Sequence, residues 1–199
     1  MTEEDVRILE ELSGALCAVP FTALGLHSAG SGAGLVLRVW QPDTEWIEVL
    51  DTRGKKSVGR MERFSESDLF VLPLPRRRKP FPYRLRICRH GHTHETSDTY
   101  AFRSGVFADQ TPDPIRLHNS LGAKLVELEG EGGERAAGTL FSLYAPSARA
   151  VSVVGDFNGW DGRCHPMQSS QDGIWRLFIP GLGHGTLYKY EIKGPGGNL

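Results

Sequence analysis

The sequence predicts an all-β protein made of two tandem immunoglobulin-like β-sandwiches with a short N-terminal helix. Two observations support this prediction: short apolar runs alternate with turn residues, and the strand pattern of the first half returns in the second. The chain of 199 residues contains 24 Gly and 12 Pro. Together they make up about 18% of it, against an average combined usage of about 12%. Because this excess follows no G-X-Y period, it indicates many tight turns between short strands.

The one predicted helix covers residues 4–17. Apolar residues recur there at three- and four-residue spacing from Val6 to Leu16, which is the pattern of an amphipathic helix. Pro20 is expected to stop it. Beyond Pro20 the apolar pattern changes to a period of two, and strands in the first half are predicted at 35–40, 45–50, 69–74 and 83–88.

An internal repeat organises the rest of the chain. At an offset of 104, residues 35–42 align with 139–146, and at an offset of 105 residues 83–87 align with 188–192. An ordered series of matching strands, turn prolines and aromatics indicates two copies of one antiparallel sandwich. The predicted organisation is a helical segment at 1–18, a first sandwich at 19–103, a linker at 104–120 and a second sandwich at 121–199.

Charge and composition exclude several classes of function. The net charge of −1 provides no general attraction to nucleic acid or to an anionic membrane. The N-terminus is acidic, and no apolar run approaches the roughly 18 residues of a membrane span. Cys17, Cys88 and Cys164 form no C-x-x-C pair, so we expect buried thiols in a reducing cytoplasm. No cofactor is expected.

Two polar clusters are weighed and set aside. His90, His92 and His94 alternate as metal ligands on one strand would, but Gly91 between them favours a hairpin tip, and no metal site is assigned. The basic residues at 76–79 are bracketed by prolines, which favours a solvated turn over a phosphate site.

The two copies differ most in one loop. The first copy continues past its second strand as a plain polar turn, whereas the second continues with Phe157, Asn158 and Trp160 among three glycines. An exposed indole stacks on the C–H face of a sugar while polar neighbours bind the hydroxyls. Alternatively, Trp160 covers the open end of the sandwich core. Trp40, Trp46 and Trp175 fall on strands and are expected in the core.

This loop carries a family resemblance. Residues 144–167, which include Gly-Asp-Phe-Asn-Gly-Trp at 155–160, resemble the family-48 carbohydrate-binding module of bacterial glycogen branching enzymes. The similarity continues through 173–181 and 187–192. Residues 20–27 and 74–81 resemble the additional N-terminal sandwich of those enzymes, so the resemblance covers about residues 19–199.

The resemblance implies the N-terminal part of a 1,4-α-glucan branching enzyme of glycoside hydrolase family 13. Trp160 and Lys189 match two glucan-contacting positions of related modules, and Asn158 in the same loop is assigned with them. A second aromatic platform that follows the lysine in those modules is missing here.

In that family the catalytic aspartate and glutamate lie on a barrel that follows the module. We therefore assign no catalytic residue and expect two partners, α-glucan or glycogen and the catalytic barrel of the parent enzyme. Three other hypotheses stay open: a stand-alone glycogen-binding or regulatory protein, the N-terminal part of a trehalohydrolase or debranching enzyme, and a tandem sandwich used for protein contacts.

Overall fold

A computed structural model describes residues 3–30, 32–54, 56–108 and 121–196. These residues form an all-β fold, as predicted, with strands in four antiparallel sheets. The helices are α1 (Glu3–Ser13) and α2 (Arg103–Val106), and 3-10 turns lie at Pro20–Thr22, Thr99–Phe102 and Asp156–Asn158.

The first half contains eight of the described strands in two sheets. They are β1 (Gly25–Ser28), β2 (Leu35–Trp40), β3 (Trp46–Asp51), β4 (Lys56–Arg60), β5 (Glu62–Arg63), β6 (Leu69–Leu74), β7 (Tyr83–Arg89) and β8 (His92–Thr96). One sheet has the order β1-β2-β6-β5 and the other has the order β4-β3-β7-β8. Apolar side chains on the facing surfaces fill the space between the sheets.

The second half repeats this topology with fewer strands. Its strands are β9 (Gly122–Glu129), β10 (Arg135–Tyr144), β11 (Ala150–Gly155), β12 (Gln168–Ser169), β13 (Ile174–Pro180) and β14 (Tyr188–Lys193). The sheets are β9-β10-β13-β12 and β11-β14. The offset of 104 places β3 on β11 and the offset of 105 starts β7 on β14, which confirms the repeat. Among the described residues, β4 and β8 have no counterpart in this half.

The two halves share one continuous apolar core. The ring of Phe102 packs edge-on against Phe178 of β13, with centroids 5.0 Å apart. The backbone N–H of Glu131 donates to the carbonyl of Ala101 over 2.9 Å. The segment that contains the Thr99–Phe102 turn and α2 therefore fixes the second sandwich against the first.

The helix α1 is shorter than predicted. It ends at Ser13, and Ala15 adopts a left-handed φ of 53°. The N–H of Leu16 then donates to the carbonyl of Glu11 over 2.6 Å, the closing bond of a left-handed C-terminal cap. The left-handed position is occupied by Ala15 rather than by the neighbouring Gly14, and the apolar spacing that continues to Leu16 concealed this end of the helix.

The predicted linker at 104–120 is described only in its first part. Residues Arg103–Val106 form a helical turn, and the side chain of Val106 is buried in the shared core. Residues 109–120 lie outside the described part of the chain. The domain boundaries therefore stay a prediction.

Most of the predicted core is confirmed, with one difference. Trp40 and Trp175 are buried, whereas Trp46 is only half-buried and the guanidinium of Arg60 lies 4.5 Å from its ring centroid. Arginine stacking covers an indole face at the surface of a sheet, so an aromatic on a strand need not enter the core.

The cysteines and the hairpin follow the predictions. All three cysteines are free and buried, and burial raises the pKa of the Cys164 thiol to about 12. His90 and Gly91 both have positive φ between β7 and β8, which confirms the hairpin tip. Across the described ranges, no helix combines the length and the hydropathy needed to span a bilayer.

Candidate functional site

The loop that distinguishes the second half spans residues 155–166 and is called here the Trp160 loop. In the first half, β3 turns back into β4. In the second half the chain leaves β11 at Gly155, forms a 3-10 turn and returns beside β11. On its return, the N–H of Val153 donates to the carbonyl of His165 over 3.1 Å. Both ends of the loop are therefore attached to the same strand.

Asn158 lies beneath the Trp160 loop and holds it together. Its side chain is 3% exposed. The amide oxygen accepts from the N–H of Gly155 over 2.9 Å, and the amide nitrogen donates to the carbonyl of Val153 over 2.9 Å. The same nitrogen lies 2.9 Å from Nδ1 of His165. Both amide hydrogens are thus used inside the protein, which is the usual state of a buried polar side chain.

His165 completes this buried network as a neutral imidazole. Burial disfavours its charged form and lowers its pKa to about 4. A neutral ring has one nitrogen free to accept, and Nδ1 takes that role toward Asn158. The ring also packs edge-on against Phe157, with centroids 5.6 Å apart. The loop therefore rests on a polar network and on one aromatic contact.

Trp160 projects from the top of the loop. It is 43% exposed and has a left-handed φ of 61°. Its indole N–H donates to a carboxylate oxygen of Asp156 over 2.8 Å, and its backbone N–H donates to the carbonyl of Gly155 over 2.9 Å. The side chain and the backbone of this residue are therefore each held by one hydrogen bond, so the ring has a defined orientation.

Strand β14 brings two charged side chains to the same surface. The ammonium of Lys189 lies 5.8 Å from the ring centroid of Trp160. A Cβ atom at Gly162 would lie 2.4 Å from a carboxylate oxygen of Glu191, so that carboxylate lies directly against the loop. Lys189 and Glu191 are two residues apart and share one face of the strand. The same carboxylate pairs with the ammonium of Lys193 over 3.5 Å. The surface thus combines an indole, the cation of Lys189 and an ion pair.

The aromatic residues of β14 face the opposite way. Tyr188 and Tyr190 alternate with Lys189, and their rings pack against Phe141 with centroids 4.9 and 6.3 Å apart. Burial raises the pKa of Tyr190. Tyr190 is half-buried on the inner side of the sheet, whereas Tyr188 is 36% exposed. Both tyrosines alternate with Lys189 along the strand, so neither shares the face that carries Lys189.

Two of the three predicted binding residues come together at the surface. Trp160 and Lys189 are adjacent, as described above, whereas Asn158 is below them and is fully used by the loop. That these residues bind carbohydrate stays a prediction. Sequence reasoning missed the roles of Asp156 and Glu191. Asp156 lies in a Gly-rich turn, where an aspartate usually serves turn geometry, and Glu191 could have been found from its period-two spacing to Lys189.

Two family models match the chain. Residues 120–199 match carbohydrate-binding module 48, the isoamylase N-terminal domain, and residues 5–100 match the N-terminal domain of the alpha-1,4-glucan branching enzyme GlgB. The chain corresponds to the N-terminal region of a glycogen branching enzyme. The branching-enzyme resemblance predicted from the Trp160 loop is thereby confirmed, and the two matches fall on the two sandwiches.

Curated relatives agree with this assignment. The chain is 34% identical over 198 residues to the 1,4-alpha-glucan branching enzyme GlgB of Pseudoalteromonas atlantica. This alignment covers 97% of the present chain and 27% of that enzyme. The chain is 38% identical over 197 residues to the same enzyme of Roseobacter denitrificans, covering 96% of this chain and 26% of that protein. The chain thus spans about a quarter of the length of these branching enzymes.

Solved structures include a pullulanase from an Anoxybacillus species complexed with maltotetraose. The two chains are 16% identical and superimpose with a TM-score of 0.29. The matched region covers 80% of this chain and 21% of the pullulanase.

Proposed function

We propose that this branching-enzyme N-terminal region binds α-glucan at Trp160 and docks on the catalytic barrel of its parent enzyme in glycogen biosynthesis. The observation that supports glucan binding is the exposed indole of Trp160, oriented by Asp156 and lying beside Lys189. The proposed setting is the cytoplasm, where the free thiols described above stay reduced.

The chemistry of the surface suits a neutral sugar. The apolar C–H face of a glucose ring stacks on an exposed indole, which removes apolar area of both partners from water. The ammonium of Lys189 then donates to sugar hydroxyls at the rim of the ring, and the carboxylate of Glu191 accepts from them. The carboxylate of Glu191 is already paired with Lys193, so the indole face rather than charge carries the proposed binding.

We assign Asn158 a positioning role in this function. Its amide fixes the Trp160 loop on β11 through the bonds to Gly155, Val153 and His165. A rigid loop orients the indole before glucan arrives, and such preorganisation favours binding because less conformational freedom is lost. The effect of Asn158 on glucan therefore passes through Trp160.

Affinity electrophoresis in gels that contain glycogen tests the proposal. The 199-residue chain is expected to be retarded, and Trp160→Ala is expected to weaken binding at least tenfold, which corresponds to about 1.4 kcal/mol. Tyr144→Ala is the matched control, because Tyr144 is also an exposed aromatic but lies outside the Trp160 loop. Its retardation should equal that of the unmodified chain.

The outcomes separate binding from catalysis. Unchanged retardation of Trp160→Ala contradicts the role of the indole, and absence of retardation of the unmodified chain contradicts glucan binding altogether. A branching assay on the same chain is expected to give no new α-1,6 linkages, since we place the catalytic carboxylates on the barrel of the parent enzyme.

A further inference from the structure

A second concave surface lies where the two halves of the chain meet. It is an open cleft of about 610 Å³. Arg103, Ser104 and Phe107 line it from the first half, and Glu131 and residues 168–172 line it from the second. It shares no lining residue with the Trp160 loop. Its volume falls within the range of small-molecule sites, about 300–1,000 Å³.

The walls of this cleft are fixed relative to each other. The N–H of Phe21 donates to the side-chain oxygen of Gln168 over 3.2 Å. Both the N–H and the hydroxyl of Ser169 donate to the carbonyl of Ala18, over 2.8 and 2.9 Å. These three bonds join the halves along the cleft, so its shape exists before any ligand binds.

A buried arginine positions part of the polar lining. Arg176 is 5% exposed. Its guanidinium donates to the hydroxyl of Ser170 over 2.6 Å and to a carboxylate oxygen of Asp172 over 3.0 Å. The other oxygen of Asp172 accepts from the N–H of Ile174. The carboxylate of Asp172, which is exposed at the rim, is therefore held in place from beneath.

Other lining groups are free to meet a ligand. Within the described residues, the side chains of Arg103 and Gln171 make no hydrogen bond or ion pair, and both are exposed. Phe107 adds an apolar wall, held by an edge-on contact with Phe21 at 5.8 Å between centroids. The cleft thus offers donors, acceptors and an aromatic surface.

The charges indicate which ligand fits. The carboxylates of Glu131 and Asp172 are balanced by the guanidiniums of Arg103 and of Arg176, which is paired with Asp172, so the lining carries no net charge that would favour an anion or a cation. A neutral chain rich in hydroxyls uses all of these groups and places its C–H faces on Phe107. We propose that this cleft is a second oligosaccharide subsite, separate from the Trp160 surface. The choice of α-glucan as its oligosaccharide rests on the proposed function.

Titration with maltotriose, followed in ¹H–¹⁵N spectra of the full chain, tests this subsite. In a Trp160→Ala background, the amide signals of Ser104, Glu131 and Gln171 are expected to shift in a saturable manner. Combining Arg103→Ala with Gln171→Ala is expected to raise the Kd from these signals at least fivefold. These two side chains have no partners in the described structure, so the fold should persist.

Arg76→Ala in the same background is the matched control, because Arg76 is exposed and lies outside the cleft. Its Kd should be unchanged. The inference is overturned if Trp160→Ala abolishes the shifts in the cleft, or if the double substitution leaves their Kd unaltered. Saturation by inorganic phosphate at lower concentration than by maltotriose overturns the assignment to a neutral ligand.

The same spectra keep the two glucan proposals separate. Shifts confined to the Trp160 indole in the unmodified chain support the proposed function and refute the second subsite. Shifts confined to the cleft support the second subsite and refute binding at Trp160.

Discussion

Replacing Asn158 by Ala is the most direct test of how the Trp160 loop is built. The substitution removes three hydrogen-bond contacts, to Gly155, Val153 and His165, each 2.9 Å long. A typical intramolecular hydrogen bond contributes about 1 kcal/mol net, and a buried group left without a partner costs about 1–3 kcal/mol. Because water can enter the space and satisfy part of the network, we expect the free energy of unfolding to fall by about 3 kcal/mol.

Urea denaturation followed by tryptophan fluorescence measures this change. Gln171→Ala is the matched control, because it also removes a side-chain amide but has no hydrogen bond in the described structure, and its stability should change by less than about 0.5 kcal/mol. Asn158→Ala should also weaken retardation in glycogen gels, since the indole loses its support. A loss below about 1 kcal/mol for Asn158→Ala would refute the idea that this amide holds the loop.

The remaining predictions concern pH and the contact between halves. Because burial lowers the pKa of His165 to about 4, the unfolded chain binds more protons between pH 4 and 6.5. The contribution of His165 to the free energy of unfolding should therefore fall by about 3 kcal/mol as pH drops through that window. The total loss over the window should be smaller in His165→Asn than in the control His184→Asn. Phe102→Ala removes a fully buried ring that packs against Phe178, and the free energy of unfolding measured by calorimetry should fall by about 3–5 kcal/mol. The control Tyr144→Ala should lower it by less than about 1 kcal/mol. Equal losses in the two variants would contradict the shared core.

The repeat made the topology predictable to a large degree. Once residues 35–42 were aligned with 139–146, the central strands of the second sandwich followed from those of the first by an offset of 104 or, after one added residue, of 105. Antiparallel pairing then follows, because β2–β6 and β10–β13 occupy equivalent places. Repeated strand, turn and aromatic landmarks carry tertiary information, because each copy must bury the same faces.

The relation between the two halves could not be predicted in the same way. It depends on side chains such as Phe102 and Val106, which lie in a segment that has no copy elsewhere in the chain. Polar composition made residues 104–120 resemble a linker, yet the described part packs into the core. Composition averages over a segment, whereas burial is decided residue by residue.

The candidate site, too, could be predicted only in part from the sequence. The types and positions of Trp160 and Lys189 were predictable from the resemblance, because the loop and strand motifs match. The burial of Asn158 was not predictable, since a polar residue in a Gly-rich loop is ordinarily exposed. Its role depends on His165, seven residues away, and only the fold brings their side chains together.

The left-handed backbone conformation of Trp160 lowers the stability of the fold at the position that we propose binds glucan. A bulky side chain at positive φ costs roughly 1 kcal/mol or more, a cost that glycine avoids. Selection for thermal stability alone would therefore replace this tryptophan by glycine and lose the indole. Retaining it means that the loop is not at its stability optimum, which is common where a protein keeps a residue for its surface chemistry. Laboratory evolution for heat resistance without glucan should change position 160 early.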